Sequence, residues 1–169
     1  MSACSCTIRV HQEQQVVICQ VEGRATMDQG LALRRYAEQA LTCGVTAIRT
    51  DLRYCTFMDS TFIGTLLHVK RAIGRCECGE LVLISPSQQC QRLLQQMGLD
   101  GVFLIVTAEE PHDEAWTELP TEPRDPSVFR RSVFQAHQEL ATLPGCVGDQ
   151  FRAITDKIGK ELKEQQKSV

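Results

Sequence analysis

An α/β fold with a mixed, mostly parallel sheet is predicted by three features of the chain. Apolar runs of strand length alternate with stretches whose apolar residues recur at spacings of three and four. The chain opens on two β-rich runs separated by a polar turn, which contribute an antiparallel edge to the sheet. One run, Glu80-Leu81-Val82-Leu83-Ile84, is almost continuously apolar, as in a strand buried on both faces. At 169 residues the chain can build one core of ordinary size and an appendage. We expect a sheet domain over residues 1–108, an acidic, Pro-rich linker over 109–126 and a helical extension over 127–169.

Thr7 to Val10 and Gln15 to Val21 form the expected hairpin, with Val17, Cys19 and Val21 on one face. Glu22 to Asp28 breaks the pattern, with Gly23 as the turn and Thr26 or Asp28 as a cap for a helix over about Gln29 to Thr42 that Gly44 ends. Ala47 to Leu52 is the central strand. Beyond it Phe62, Ile63, Leu66, Leu67, Val69 and Ile73 repeat at helical spacing up to Gly74. The apolar strand Glu80 to Ile84 stops at Ser85-Pro86, Ser87 caps a helix from Gln88 to Met97, and Val102 to Val106 is the last strand.

Residues 109–126 hold four prolines and seven acidic groups against Arg124 alone, the composition of an extended linker. Within it Trp116 is expected to anchor the segment to the domain. Ser127 is read as the cap of a helix to Leu143 with Phe129, Val133, Ala136 or His137, and Leu140 on one side. Pro144-Gly145 ends it, and Asp149 is read as the cap of a second helix with Phe151, Ile154, Ile158 and Leu162 in a stripe. Folded as a hairpin, the pair would set Phe129 by Leu162 and Leu140 by Phe151. Two such helices bury too little alone, so the hairpin must cover its own domain or join a second copy as a homodimer, in a role expected to be separate from any site on the sheet domain.

A net charge of −3 and a pI near 5.8, with scattered Lys and Arg, provide no field for nucleic acid or for an anionic membrane. No apolar run approaches the roughly twenty residues that span a bilayer, and Met1 to Cys6 lacks the pattern of a secretion signal. A cytoplasmic protein is expected. The nine cysteines are odd in number and dispersed, and the pairs Cys4/Cys6 and Cys76/Cys78 are spaced too closely for a structural zinc site, so reduced thiols and no metal are expected. Cys19 and Cys55 read as small buried thiols. No phosphate-binding Gly-rich loop is present, and no cofactor is expected.

The functional position is Ser60. Asp59 and Ser60 fall where a strand-like run gives way to a helix, and both are residues that cap a helix start. Read alone, Ser60 is a cap. With its surroundings it is more: Asp59-Ser60-Thr61 opening a helix, Gly64 three residues on, then the strand and Pro loop of Leu81 to Pro86, Gln91-Arg92-Leu93-Leu94, and Met97-Gly98-Leu99-Asp100. In this order the chain, from about residue 7 to residue 107, resembles the STAS family, the bacterial anti-sigma-factor antagonists. The resemblance implies that Ser60 is the acceptor of a phosphate from a partner anti-sigma factor, a serine kinase of the GHKL type, opposed by a PP2C-type phosphatase. It also implies a partner-facing surface of Asp59, Ser60, Thr61 and Phe62, with Gly23 and Arg24 in the preceding turn. Where the family usually has Gly directly after the triplet this chain has Phe62, which is expected to reshape that surface.

Two other classes compete. A Ser-dependent enzyme would need a base beside Ser60, and His68 lies about two helical turns away, while His11, His112 and His137 have plain solvated or core readings. A structural or scaffold module within a larger signalling complex would use Ser60 only as a cap. The expectation carried forward is a phosphorylation-switched binding protein, not an enzyme.

Overall fold

Alternation of side chains fixes the sheet. β1 (Thr7–Glu13) and β2 (Val16–Ala25) pair antiparallel with Val10 opposite Cys19, and β2 pairs parallel with β3 (Ala47–Asp51). Ile8, Val10, Val17, Cys19, Val21, Ile48 and Thr50 point inward and are buried, while Arg9 and Arg49 point out. The computed structural model describes residues 6–107, 115–121 and 125–167, with side chains to residue 163. The sheet continues parallel through β5 (Glu80–Ile84) to β6 (Leu104–Val106), giving the order β6-β5-β3-β2-β1-β7 with β7 (Thr117–Glu118) antiparallel to β1. The fold class is the expected one, a mixed and mostly parallel sheet with helices.

Several boundaries differ for local reasons. β2 runs on to Ala25, so Gly23 lies inside a strand, at φ +89, where the register shifts as the strand leaves β3 and pairs with β4 (Cys55–Met58). That short strand follows an irregular turn and was not expected from the sequence. The first helix, α1 (Met27–Thr42), starts earlier because the Gln29 side chain accepts the N–H of Thr26, at 3.1 Å, and closes its first turn. α2 (Ser60–Ile73) and α3 (Gln88–Gln96) follow, the latter capped by Ser87 as expected. α4 (Pro126–Ala141) is capped by Asp125 rather than Ser127, since Pro126 suits the first helical position. α5 (Gly145–Lys167) begins at Gly145, ahead of Asp149.

The described residues 115–121 are pinned to the sheet. Trp116 is half-buried with its ring 6.1 Å from that of His11, and Leu119 is buried with its N–H on the Ile8 carbonyl at 2.8 Å. The rest of this acidic stretch lies outside the described residues, as does Cys4 of the first cysteine pair. Cys19 and Cys55 are fully buried, and burial pushes the Cys19 thiol up to about 12. Among the described residues no cluster of His, Cys, Asp and Glu is arranged to hold a metal, and no helix is long and apolar enough to cross a membrane.

The terminal helices form the hairpin and lie on their own domain. Phe129 and Leu162 line one groove at its open end, and Phe151 packs near the turn with its ring 5.3 Å from that of His137. α4 rests on α2 and touches α1, so α2 is enclosed by the sheet, α1 and α4, and nearly every residue from Thr61 to Val69 is buried. Backbone meets backbone at Gly64: a Cβ there would stand 2.2 Å from the carbonyl oxygen of Ala136. Gly64→Ala should therefore cost roughly 1–3 kcal/mol in urea unfolding through overpacking, net of the helix propensity it gains. Gly101→Ala, where a Cβ meets nothing within 4 Å, should be near neutral; equal effects at the two positions would contradict the tight crossing.

Candidate functional site

The end of β2 and the start of α2 are brought together by strand pairing. Arg24 and Ala25 lie beside Phe57 and Met58 of β4, and the Asp59 N–H donates to the Ala25 carbonyl at 3.1 Å. This places Gly23 and Arg24 on the same rim as Asp59 and Ser60. Exposed Arg24 stacks on exposed Phe57, its guanidinium 4.2 Å from the ring centre, and the half-exposed Tyr54 stands beside Arg53. Phe57 and Tyr54 were not singled out from the sequence, although an aromatic pair in a run that ends at a helix cap is visible there. An open cavity of about 620 Å³ adjoins them, lined among others by Gly23, Arg53, Tyr54 and Ser87.

The cap is Asp59, not Ser60. Its carboxylate accepts the Phe62 N–H at 2.8 Å and the Thr61 hydroxyl, so Ser60 is the first helical residue and its side chain is spared. Two residues of the expected surface are interior. Thr61 is buried, and Phe62 is fully buried in the core between helix and sheet. At the third helical position the side chain turns down onto the sheet, so the bulk in place of a Gly fills the core and does not reshape the surface.

Ser60 is half-buried, not freely exposed. Its Oγ lies 3.1 Å from Nε2 of His137, which α4 carries over the start of α2. His137 was read from the sequence as a solvated or core residue, and its separation of 77 positions from Ser60 hid the contact. Only the small residues near the start of α2 (Ser60, Gly64) hinted that another helix could approach closely. His137 Nδ1 is buried with no hydrogen-bond partner among the described residues, so nothing orients the ring as a base would be oriented. Further along the crossing a crevice of about 10 Å³ is lined by Gly64, His68, Ala136 and Glu139 among others. The Ser60–His137 pair is a contact that joins α2 to α4.

About two turns further along α2, charge ties the helices together. His68 faces two carboxylates, Glu139 at 3.1 Å and Glu38 at 2.9 Å; Arg71 reaches Glu139 at 2.6 Å, and Arg34 reaches Gln135 at 2.7 Å. The hydrogen bond from His68 holds Glu139 below the usual glutamate range, aided by Arg71 and Arg34 and opposed by burial. Burial holds His137 below the usual histidine value, opposed by the charge of Asp59. Both shifts act in one direction. With folded values lowered, the undocked hairpin binds more protons as pH falls, so support for docking is complete above about pH 6.5 for His137 and roughly pH 4.3 for Glu139, and is lost below.

Two measurements follow from this geometry. Asp59→Ala should lower stability by about 1–2 kcal/mol in urea, because the lost cap also strands the Thr61 hydroxyl, while Ser60→Ala should cost less. Stability should also fall as pH drops below about 6.5, and His137→Asn should flatten that part of the profile while leaving the loss at lower pH that belongs to Glu139. A profile unchanged by His137→Asn would contradict a buried neutral imidazole.

Comparison with known proteins agrees with this arrangement. Residues 8–107 match the family model described as Mlab, STAS domain. No curated protein sequence matches. Among solved structures, the anti-sigma factor antagonist SpoIIAA in its unphosphorylated form superposes with a TM-score of 0.56 at 22% identity, covering 61% of this chain and 89% of that one. The phosphorylated form of the Bacillus cell fate determinant SpoIIAA gives 0.52 at 23% identity, covering 61% and 92%. An anti-sigma factor antagonist from Mycobacterium paratuberculosis gives 0.53 at 22% identity, covering 62% and 87%. The likeness to these structures is one of fold; with residues 8–107, more than half of its length, matched by the family model, the chain belongs to the STAS domain family.

Proposed function

We propose that the protein is a phosphorylation-switched binding regulator of the anti-sigma-factor-antagonist type, with Ser60 as the phosphoacceptor. The observation that carries this reading is the separation of labour at the start of α2: Asp59 does the capping, which leaves the Ser60 hydroxyl without a structural duty in its own helix. The residue stands at the N-terminus of a 14-residue helix, where the dipole tolerates a phosphate without a change of fold. Around it Arg24, Phe57 and Tyr54 supply the mixed aromatic and cationic surface that protein partners bind. A phosphate beside Asp59 would add about −1.5 to −2 charges at pH 7 and repel a partner that docks on the unmodified rim.

On this reading the partner is an anti-sigma factor that acts as a serine kinase, of the GHKL type, with a PP2C-type phosphatase restoring the hydroxyl. The family and the likeness to anti-sigma factor antagonists support the class of partner. His137 Nδ1, with no hydrogen-bond partner among the described residues, lacks the third group that would orient a general base, which argues against a Ser-dependent enzyme. A scaffold role remains the second reading, favoured by one observation, the apolar edge strand β6 with Leu104, Ile105 and Val106 exposed.

Incubation with the cognate kinase and ATP, followed by peptide mass mapping, should place one phosphate on Ser60. Ser60→Ala should remain unmodified and competent for the partner, and Ser60→Asp should bind it at least tenfold more weakly. Phosphate on Thr61 or elsewhere, with Ser60 bare, would end the proposal; buried Thr61 with its hydroxyl on Asp59 should not react.

A further inference from the structure

We propose that the α4–α5 hairpin is an autoinhibitory cover, an intramolecular occupant of the face of α2 that carries Ser60, which must lift before Ser60 can be phosphorylated or that face can be bound. The gating role rests on the reading of Ser60 as phosphoacceptor; the cover itself rests on geometry alone.

Three observations carry it. The Ser60 Oγ is engaged by His137 Nε2 at 3.1 Å. Transfer of a phosphoryl group from a nucleoside triphosphate forms an O–P bond to this same oxygen and breaks the bridging O–P bond to release the diphosphate. The hydroxyl proton passes to a base of the kinase. The phosphorus must come to within about 3–3.5 Å of Oγ in line with the leaving group, and the imidazole already stands at that distance. Second, α4 cannot merely swing its side chains aside, because at Gly64 the two backbones touch and Ala136 and Leu140 are buried beneath it. Access by a kinase active site requires the whole helix to move. Third, the attachment is of a kind that can be released. Next to the close-packed crossing it is a set of polar contacts, Glu139 to His68 and Arg71, Arg34 to Gln135, and Arg71 to Thr142, which water can replace on both sides. β7 holds the chain to β1 at the far edge of the sheet, so the hairpin stays tethered when it lifts.

Once phosphate is in place the closed form is disfavoured. Its oxygens would occupy the position of the His137 ring, with the Asp59 carboxylate on the other side. The hairpin and the phosphate are thus alternative occupants of one place.

The test needs no kinase. In the full-length chain Ser60→Cys introduces a thiol whose reaction with N-ethylmaleimide, followed by peptide mass mapping, reports access to this position; exposed Cys43 serves as the internal reference. Ala136→Glu should wedge the crossing apart and Glu139→Ala should remove two of the polar contacts without touching the buried crossing. The expected result is labelling at position 60 much slower than at Cys43 in the Ser60→Cys chain, rising at least tenfold with Ala136→Glu and severalfold with Glu139→Ala, at constant Cys43 rate. Hydrogen exchange over β2, β3 and β5 should be unchanged, which shows that the domain itself stays folded. Labelling at the Cys43 rate with the hairpin intact would overturn the proposal, as would a rate that neither variant changes. If labelling is gated but the kinase modifies another residue, the phosphoacceptor reading fails and with it the regulatory role of the cover, whereas phosphate on Ser60 with ungated labelling removes the cover alone.

Discussion

The backbone contact between Gly64 and Ala136 governs the rest of the molecule. At this point two helices meet with no side chain between them, and a single Cβ on the α2 side would drive into the Ala136 carbonyl. Because the axes come so close, His137 falls on Ser60, Glu139 falls between His68 and Arg71, and Leu140 is sealed from water. A larger residue at position 64 would separate the helices and undo all three contacts together. The same small-residue logic recurs between α1 and α2, where a Cβ on Gly30 would meet the Thr65 hydroxyl at 2.9 Å.

Enclosure on three sides sets α2 apart from a helix that covers a sheet alone. In a two-layer domain a helix keeps a polar face in water, and a site on that face is open by default. Here Phe62, Ile63 and Leu66 are in the core, another side of the helix meets α4, and beside its N-terminus the rim formed by β2 and β4 is accessible. Arg24, Tyr54 and Phe57 are exposed on that rim. The accessible rim and the Ser60 hydroxyl are therefore neighbours in different settings: the first is shaped by the β2 bulge at Gly23, the second is met by His137 of the docked hairpin.

The electrostatics of the covered face follow from the same enclosure. Partial burial keeps His137 neutral, whereas bonding to His68, Arg71 and Arg34 keeps Glu139 charged. A neutral imidazole against a serine hydroxyl and an ionised carboxylate among cations are both arrangements that protonation weakens. The interface is thereby poised to respond to charge placed at Ser60, while the sheet, whose inward residues are almost all apolar, is indifferent to it.

The sequence by itself determined the α/β class, the hairpin edge, the buried strand Glu80–Ile84, the Ser87 cap and the family pattern around Asp59-Ser60-Thr61, because each is written in nearest-neighbour periodicity and cap chemistry. It also showed that the two terminal helices needed a third surface, since their stripes could not bury each other completely. It did not show which surface. The choice of α2, the meeting of His137 with Ser60, the capping by Asp59 in place of Ser60 and the burial of Phe62 were decided by tertiary structure. They depend on side chains tens of positions apart and on how far two backbones can approach, and periodicity carries no information about either; the match of small residues at Gly64 and Ala136 becomes a contact only when the helices are set against one another.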